Sequence, residues 1–211
     1  MPKIARKSKD IEAVKKTILD AAIDLIYEEG FTSLSMRKIA LKSSMTAANI
    51  YNYFANKDEI YLEIQTMGFS ILHQEAVTIE SQEITPFEKL RQFISGYIEF
   101  GIQNPDIYEI MFTRNTPKYK DYVGTALEGK ATIEKDTALK SFAVAADFIS
   151  QISTESNLKA IGSIQFRTMQ IWTACHGIVS LHNSRVLQEV DENTELVIEQ
   201  CIDDLMAPFE K

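Results

Sequence analysis

An all-α fold is predicted for this 211-residue chain by three features. Apolar residues recur at spacings of three and four over most of its length, the signature of helices with one buried face. Eight glycines and five prolines are too few for a turn-rich β protein, and strand-like alternation is nowhere sustained. Hydrophobic residues make up 45% of the chain, enough for a sizeable core. The expected architecture is about nine helices: an N-terminal three-helix module containing a helix-turn-helix, then a larger C-terminal helical domain.

The first helix is expected over 11–29, where Val14, Ile18, Ala21, Ala22, Leu25 and Ile26 share one face. Gly30 can take the left-handed conformation that ends it, with Phe31 folding back on Ile26 in a Schellman close. Ser35 is a natural N-cap for a short second helix over 36–42, with Met36, Ile39 and Ala40 as its buried stripe. After the polar break Ser43-Ser44, Thr46 caps a third helix over 47–53. Asn56 caps the fourth, Glu59 completes a capping-box-like start, and Ile60, Ile64, Met67 and Ile71 extend its stripe to about six turns. This helix passes from the first domain (12–72, helix-turn-helix 35–54) into the second (73–211) without a flexible linker.

Thr85-Pro86-Phe87-Glu88 opens a fifth helix that reaches about Gln103, and Asn104-Pro105-Asp106 opens a short sixth through Phe112. Residues 113–132, with Pro117, Gly124 and Gly129, read as irregular with a turn or two of helix. A seventh helix follows over 133–152, then a polar loop over 153–157. The eighth, over 158–183, is apolar on more than one face, and helices of that kind are buried or shared with a partner. Asn193 caps a ninth carrying Val197, Ile198, Cys201, Ile202 and Leu205.

The helix-turn-helix is where the chemistry concentrates. Ile50 and Phe54, four apart, seat the third helix on its neighbours. The small residues Ala47 and Ala48 let its N-terminus approach a groove floor, while Asn49 and Asn52 can offer an acceptor and donors to base edges. Tyr51, Tyr53 and Lys57 suit phosphate oxygens, which position a protein without reading sequence, and Thr46 at the cap is a further candidate DNA contact. Arg37 and Lys38 are the nearest further cations. An ordinary helical corner with an aromatic-rich face would use the same residue types.

The whole constellation resembles the DNA-binding domain of the tetracycline-repressor (TetR) family of bacterial transcription regulators. Ala21-Ala22, Leu25, Gly30-Phe31, Arg37, Ile39-Ala40, Ile50-Tyr51, Tyr53-Phe54 and Lys57-Asp58-Glu59 stand in the places of that family's motif, over the first quarter to third of the chain. Ser44 stands where the family commonly has a turn glycine, and Asn49 where threonine or alanine is usual. The resemblance implies Arg37 as a DNA contact and the fourth helix as a lever between ligand site and DNA. Trp172, His176 and Gly177 further resemble the W-x-x-x-H-G signature of one TetR subgroup.

Net charge is −8, but its distribution is uneven: residues 1–60 hold ten Lys/Arg against eight Asp/Glu, so the acidic excess lies in the remainder. Lys3, Arg6, Lys7 and Lys9 form a basic arm, either a phosphate-tracking element with salt-sensitive binding or a solvated tail. Cys175 and Cys201 lie in apolar helical patterns and read as buried reduced thiols of a cytosolic protein. The N-terminus lacks a signal-peptide core and no stretch approaches the roughly 18 apolar residues of a membrane span, so the expected location is the cytoplasm, with no membrane partner. No cofactor and no metal site is expected.

A DNA-reading module joined to a larger helical domain implies a sensor. Tyr97, Phe100, Tyr108, Met111, Phe112, Phe142, Phe166, Met169 and Trp172 are the candidate walls of an effector pocket. His176 is either a polar group lining that pocket or a core histidine beside a packed glycine, and Gly177 would fit a close helix crossing. The last two helices suggest a homodimer through a four-helix bundle. The expected function is a homodimeric DNA-binding regulator, a repressor released from a palindromic operator by a small hydrophobic or amphipathic effector. A helical interaction or sensor module without DNA binding, and an activator of the same fold, are the alternatives. An enzyme is not expected: His73, His176 and His182 are scattered, and no phosphate-cradling glycine loop occurs.

Overall fold

A computed structural model describes residues 8–114, 116–155 and 163–210. Among them are eleven α-helical segments and no strand. They are α1 Ser8–Glu29, α2 Met36–Lys42, α3 Ala47–Ile50, α4 Lys57–Glu80, α5 Pro86–Gln103, α6 Pro105–Tyr108, α7 Tyr119–Tyr122, α8 Glu128–Glu155, α9 Ile164–Asn183, α10 Val186–Val190 and α11 Thr194–Met206. The expected all-α class stands. The two helices beyond the expected nine, α7 and α10, are four and five residues long, too short to carry a readable apolar period. Of the expected features, Lys3, Arg6, Lys7, residues 156–162 and the Phe31 side chain lie outside the described residues.

Two compact units emerge, formed by the described residues of Met1–Gly68 with Asp106–Lys135, and of Phe69–Pro105 with Asp136–Lys211. In the first, Ile18, Ala22, Leu25 and Ile26 of α1 join Ile39, Ile50, Phe54, Ile60, Tyr61 and Ile64 in one core. Burying each large aliphatic side chain is worth about 1.5–3 kcal/mol, so this cluster fixes the short helices that could not persist alone. Helix α1 ends as its glycine suggests, with Gly30 at φ +80 and its N–H donating to the Ile26 carbonyl at 2.9 Å. That is the single-bond left-handed close rather than the two-bond Schellman pattern.

The segment Asp106–Lys135 belongs to this unit through contacts that sequence spacing does not show. After α6, Glu109–Thr113 forms a π turn in which Arg114 N–H reaches back to the Glu109 carbonyl. The Ile110 carbonyl accepts from the Tyr61 hydroxyl at 2.5 Å and from Gln65 Nε2 at 3.3 Å. Close backbone approach occurs at Gly68, where a Cβ would meet Met111 Sδ at 2.3 Å and an Ile107 methyl at 2.9 Å. Leu62, Tyr122 and Ala131 make a second small core, and Lys135 sits 4.3 Å over the Tyr119 ring.

In the second unit α5 packs on α9 and α11, and α10 on α9. The start of α5 is the expected capping box: Thr85 Oγ1 accepts from Glu88 N–H at 3.2 Å, and Glu88 accepts from Thr85 N–H at 2.9 Å. Phe93 meets Phe148 edge to face at 6.4 Å. Asn183 Nδ2 donates to the Gly101 carbonyl at 3.0 Å, and Arg91 of α5 pairs with Glu199 and Asp203 of α11. Among the described residues no helix is long and apolar enough to cross a membrane.

Candidate nucleic-acid interface

The corner between α2 and α3 is built from three local devices. Ser35 Oγ accepts from Lys38 N–H at 3.3 Å and Thr46 Oγ1 from Asn49 N–H at 3.2 Å, so both short helices begin on a side-chain cap. Between them the chain makes a full Schellman close: Met45 N–H bonds the Ala40 carbonyl at 2.8 Å and Ser44 N–H the Leu41 carbonyl at 3.1 Å. Ser44 stands at φ 56, the left-handed region, where glycine is usual. The departure from the family motif therefore keeps the turn at a cost in strain.

The α-helical part of α3 is one turn, shorter than the expected 47–53. Asn52 and Tyr53 bond back three residues, to Asn49 and Ile50, and Phe54 bonds four back to Ile50. The coil thus tightens over Tyr51–Tyr53 instead of stopping. Ile50 and Phe54 are buried in the core. Arg37, Thr46, Ala48, Tyr51 and Asn52 are exposed, and Ala47, Asn49, Tyr53 and Lys57 are half-buried, so none of the nine candidate DNA contacts is enclosed. Tyr51 is 56% exposed, unusual for a large aromatic with apolar neighbours at hand.

Not every cation near this corner faces outward unpaired. Lys38 bonds Glu29 at 2.5 Å and Lys42 bonds Glu28 at 2.6 Å, tying α2 to the end of α1. The Lys38 hydrogen bond holds the Glu29 carboxyl below its usual range, and Glu28 raises the Lys42 ammonium. Lys38, expected with Arg37 among the cations nearest the duplex, is thus also an ion-pair partner of α1. Arg37 is exposed.

The residues expected around an effector are divided between the two units. Tyr108, Met111 and Phe112 belong to the first unit, where the Tyr108 and Phe112 rings lie tilted against each other at 4.8 Å and Met111 fills the space over Gly68. In the second unit Tyr97 and Phe100 are buried, and Trp172 Nε1 donates to the Tyr97 hydroxyl at 3.1 Å. Phe142 and His176 are half-buried, and desolvation lowers the His176 imidazole. Phe166 and Met169, 62% and 41% exposed, stand on α9 with Trp172. A helix apolar on several faces does not reveal in its sequence which face a single chain covers. Gly177 has open space where a Cβ would be, so the close crossing expected there is not made within the chain; the second unit's tight approach is at Gly96, against the Glu75 carboxylate.

That approach borders an open cleft of about 420 Å³ lined by Glu75, Arg91, Gln92, Ser95 and Glu99 among others. Carboxylates, an arginine and amide and hydroxyl side chains share its lining with Ile79 and Gly96. Desolvation, and then the charge of Glu99, push the Glu75 carboxyl up.

Two family models match the chain: bacterial regulatory proteins of the tetR family over residues 18–64, and a tetracyclin repressor-like C-terminal domain over residues 90–205. The HTH-type transcriptional repressor NicS of Pseudomonas putida is 20% identical over 109 residues, 52% of this chain and 51% of that protein. The chain thus spans about half the length of the first curated relatives it matches. A tetR-family regulatory protein from Rhodococcus RHA1 superposes with a TM-score of 0.72 at 13% identity, over 93% of this chain and 96% of that one. The transcriptional regulator FadR of Bacillus subtilis, solved with stearoyl-CoA, gives 0.70 at 15% identity, over 92% and 98%. At these identities the structures speak for the fold, and the two family models, which together take in both the helix-turn-helix and most of the remainder, speak for descent. The chain belongs to the tetR family of bacterial regulatory proteins.

Proposed function

We propose that the protein is a homodimeric DNA-binding transcriptional repressor that leaves a palindromic operator when a small hydrophobic or amphipathic effector binds. The observation that carries this reading is the outward face of the helix-turn-helix: Arg37, Ala48, Tyr51 and Asn52 are exposed over a core pinned by Ile50 and Phe54. A hydroxyl- and amide-bearing face on a rigid seat suits a major groove, with Asn49 and Asn52 toward base edges and Thr46, Tyr51, Tyr53 and Lys57 toward phosphates. The proposed division of labour is DNA reading by 12–72 and effector binding with dimerisation by 73–211.

The dimer is proposed through α9 and α11. Phe166, Met169, Trp172 and Leu181 on the first and Leu196 on the second are large apolar side chains left exposed by one chain, as an interface core requires. Two copies would set their α3 helices in successive major grooves about 34–36 Å apart, hence the palindrome. Trp172, His176 and Gly177 put the chain in the W-x-x-x-H-G subgroup on this reading. The effector is proposed to meet Tyr97, Phe100, Phe142 and His176; the acyl-CoA bound by the Bacillus subtilis regulator supports an amphipathic class. The effector can move the equilibrium only by its difference in affinity for the bound and released forms, typically about 1–3 kcal/mol. Action in the cytoplasm, where the operator would be, completes the proposal.

Selection of bound duplexes from a random library with the purified protein tests it. The Tyr51→Ala/Lys57→Ala double variant should weaken binding to all sequences and flatten the salt slope, whereas Asn49→Ala should change sequence preference. Failure to enrich any palindrome would refute the reading.

A further inference from the structure

The exit from the recognition helix is held by a residue far away in sequence. Ala55 follows Phe54, the last anchor of that helix, and its N–H donates to Glu59 Oε2 at 2.5 Å. Asn56 Oδ1 accepts from Glu59 N–H at 2.9 Å, closing the cap from the other side. Glu59 is only 8% exposed. Its second oxygen, Oε1, receives Lys130 Nζ of α8 at 2.7 Å, with Glu63 at 3.8 Å from the same ammonium. A nearly buried carboxylate is held in place when both oxygens are engaged, one on the backbone amide and one on a cation. Without the cation it is an uncompensated charge that gains by turning to water, and the turn would take it off Ala55.

We infer that Lys130 is a positioning residue for DNA recognition: by holding Glu59 on the Ala55 amide, it fixes the angle at which α3 leaves for α4. This rests on the DNA-reading proposal above. Helix α8 runs on past Asp136 to Glu155, so the latch is covalently continuous with residues of the second unit. The base-reading face needs its side chains held to a fraction of an ångström, and a hydrogen-bonded carboxylate adds a directional restraint to the seat that Ile50 and Phe54 provide.

The test uses the full chain, in the variants Lys130→Met and Lys130→Arg. Amide exchange at Ala55, measured without DNA, should accelerate on the order of ten-fold in K130M, as for a lost charge-assisted hydrogen bond, and recover in K130R. Affinity for a duplex selected by the native protein should fall several-fold in K130M with an unchanged salt slope, and recover in K130R. Unaltered Ala55 exchange in K130M overturns the inference. So does an affinity loss accompanied by a shallower salt slope, because Lys130 would then be a phosphate contact. If the native protein binds no duplex, the positioning role falls with the DNA reading, and Ala55 exchange still reports separately whether the latch exists.

Discussion

Ser44→Gly should stabilise the protein, although the position is exposed and its side chain makes no part of the core. Ser44 sits at φ 56 in the Schellman close that turns α2 into α3. A side-chain-bearing residue in the left-handed region costs about 1–2 kcal/mol. Glycine removes that strain but loses about 0.5–1 kcal/mol through the greater freedom of its unfolded chain. The net gain is about 0.5–1 kcal/mol, or a few degrees in Tm for a chain of this size. Ser44→Val moves the other way, by about 1 kcal/mol or more, because a β-branched side chain fits the left-handed region worst, and Ser44→Asn should be close to neutral. Urea unfolding at one fixed protomer concentration measures the series, since dimerisation would make stability depend on concentration. An order in which valine is tolerated and glycine destabilises would refute the assigned turn.

Three other outcomes are expected. Gly68→Ala should lose about 1 kcal/mol: alanine returns about 1 kcal/mol of helix propensity, but its Cβ would press on Met111 Sδ and the Ile107 methyl, and overpacking of this kind costs about 1–3 kcal/mol. Glu75, whose carboxyl is pushed up by desolvation and by Glu99, binds its proton more readily folded than unfolded, so stability should fall as pH rises from the ordinary carboxylate range through the raised folded value. Glu75→Gln should remove that slope, being more stable than the native chain at neutral pH and no different below the ordinary carboxylate range; equal pH profiles for the two would refute it. Burial pushes the Cys175 thiol up to about 12, so a thiolate-selective reagent at pH 8 should leave Cys175 unmodified in the native protein and reach it only on unfolding, as peptide mapping would read.

Much of the recognition corner was legible because it is made by short-range chemistry. Ser35, Thr46, Asn56 and Thr85 cap helices as their types and spacings imply, and Ile50 and Phe54 are buried because four-residue spacing puts them on one face. Contacts across long separations were not legible. Lys130 reaches Glu59 over 71 positions, and nothing near either residue announces the other. Helix α8 begins at Glu128, five residues before the expected start, because Gly129 is tolerated inside a helix that its neighbours Leu62 and Tyr122 hold through Ala131. The aromatic residues expected around one effector belong to both units, and aromaticity predicts burial without naming the neighbour. Lys38 and Lys42 turned to α1 for the same reason: a lysine's sign is visible in sequence, but its partner is not.

The π turn over Glu109–Thr113 holds one more residue per turn than an α-helix would, and its register makes Ile110 present its carbonyl to Tyr61 and Gln65 while Met111 covers Gly68. Deleting a single residue there would close the turn to α-helical spacing and shift the Ile110 carbonyl off Tyr61 and Gln65 and Met111 off Gly68. Insertions and deletions among descendants of this chain should therefore be scarce in that turn.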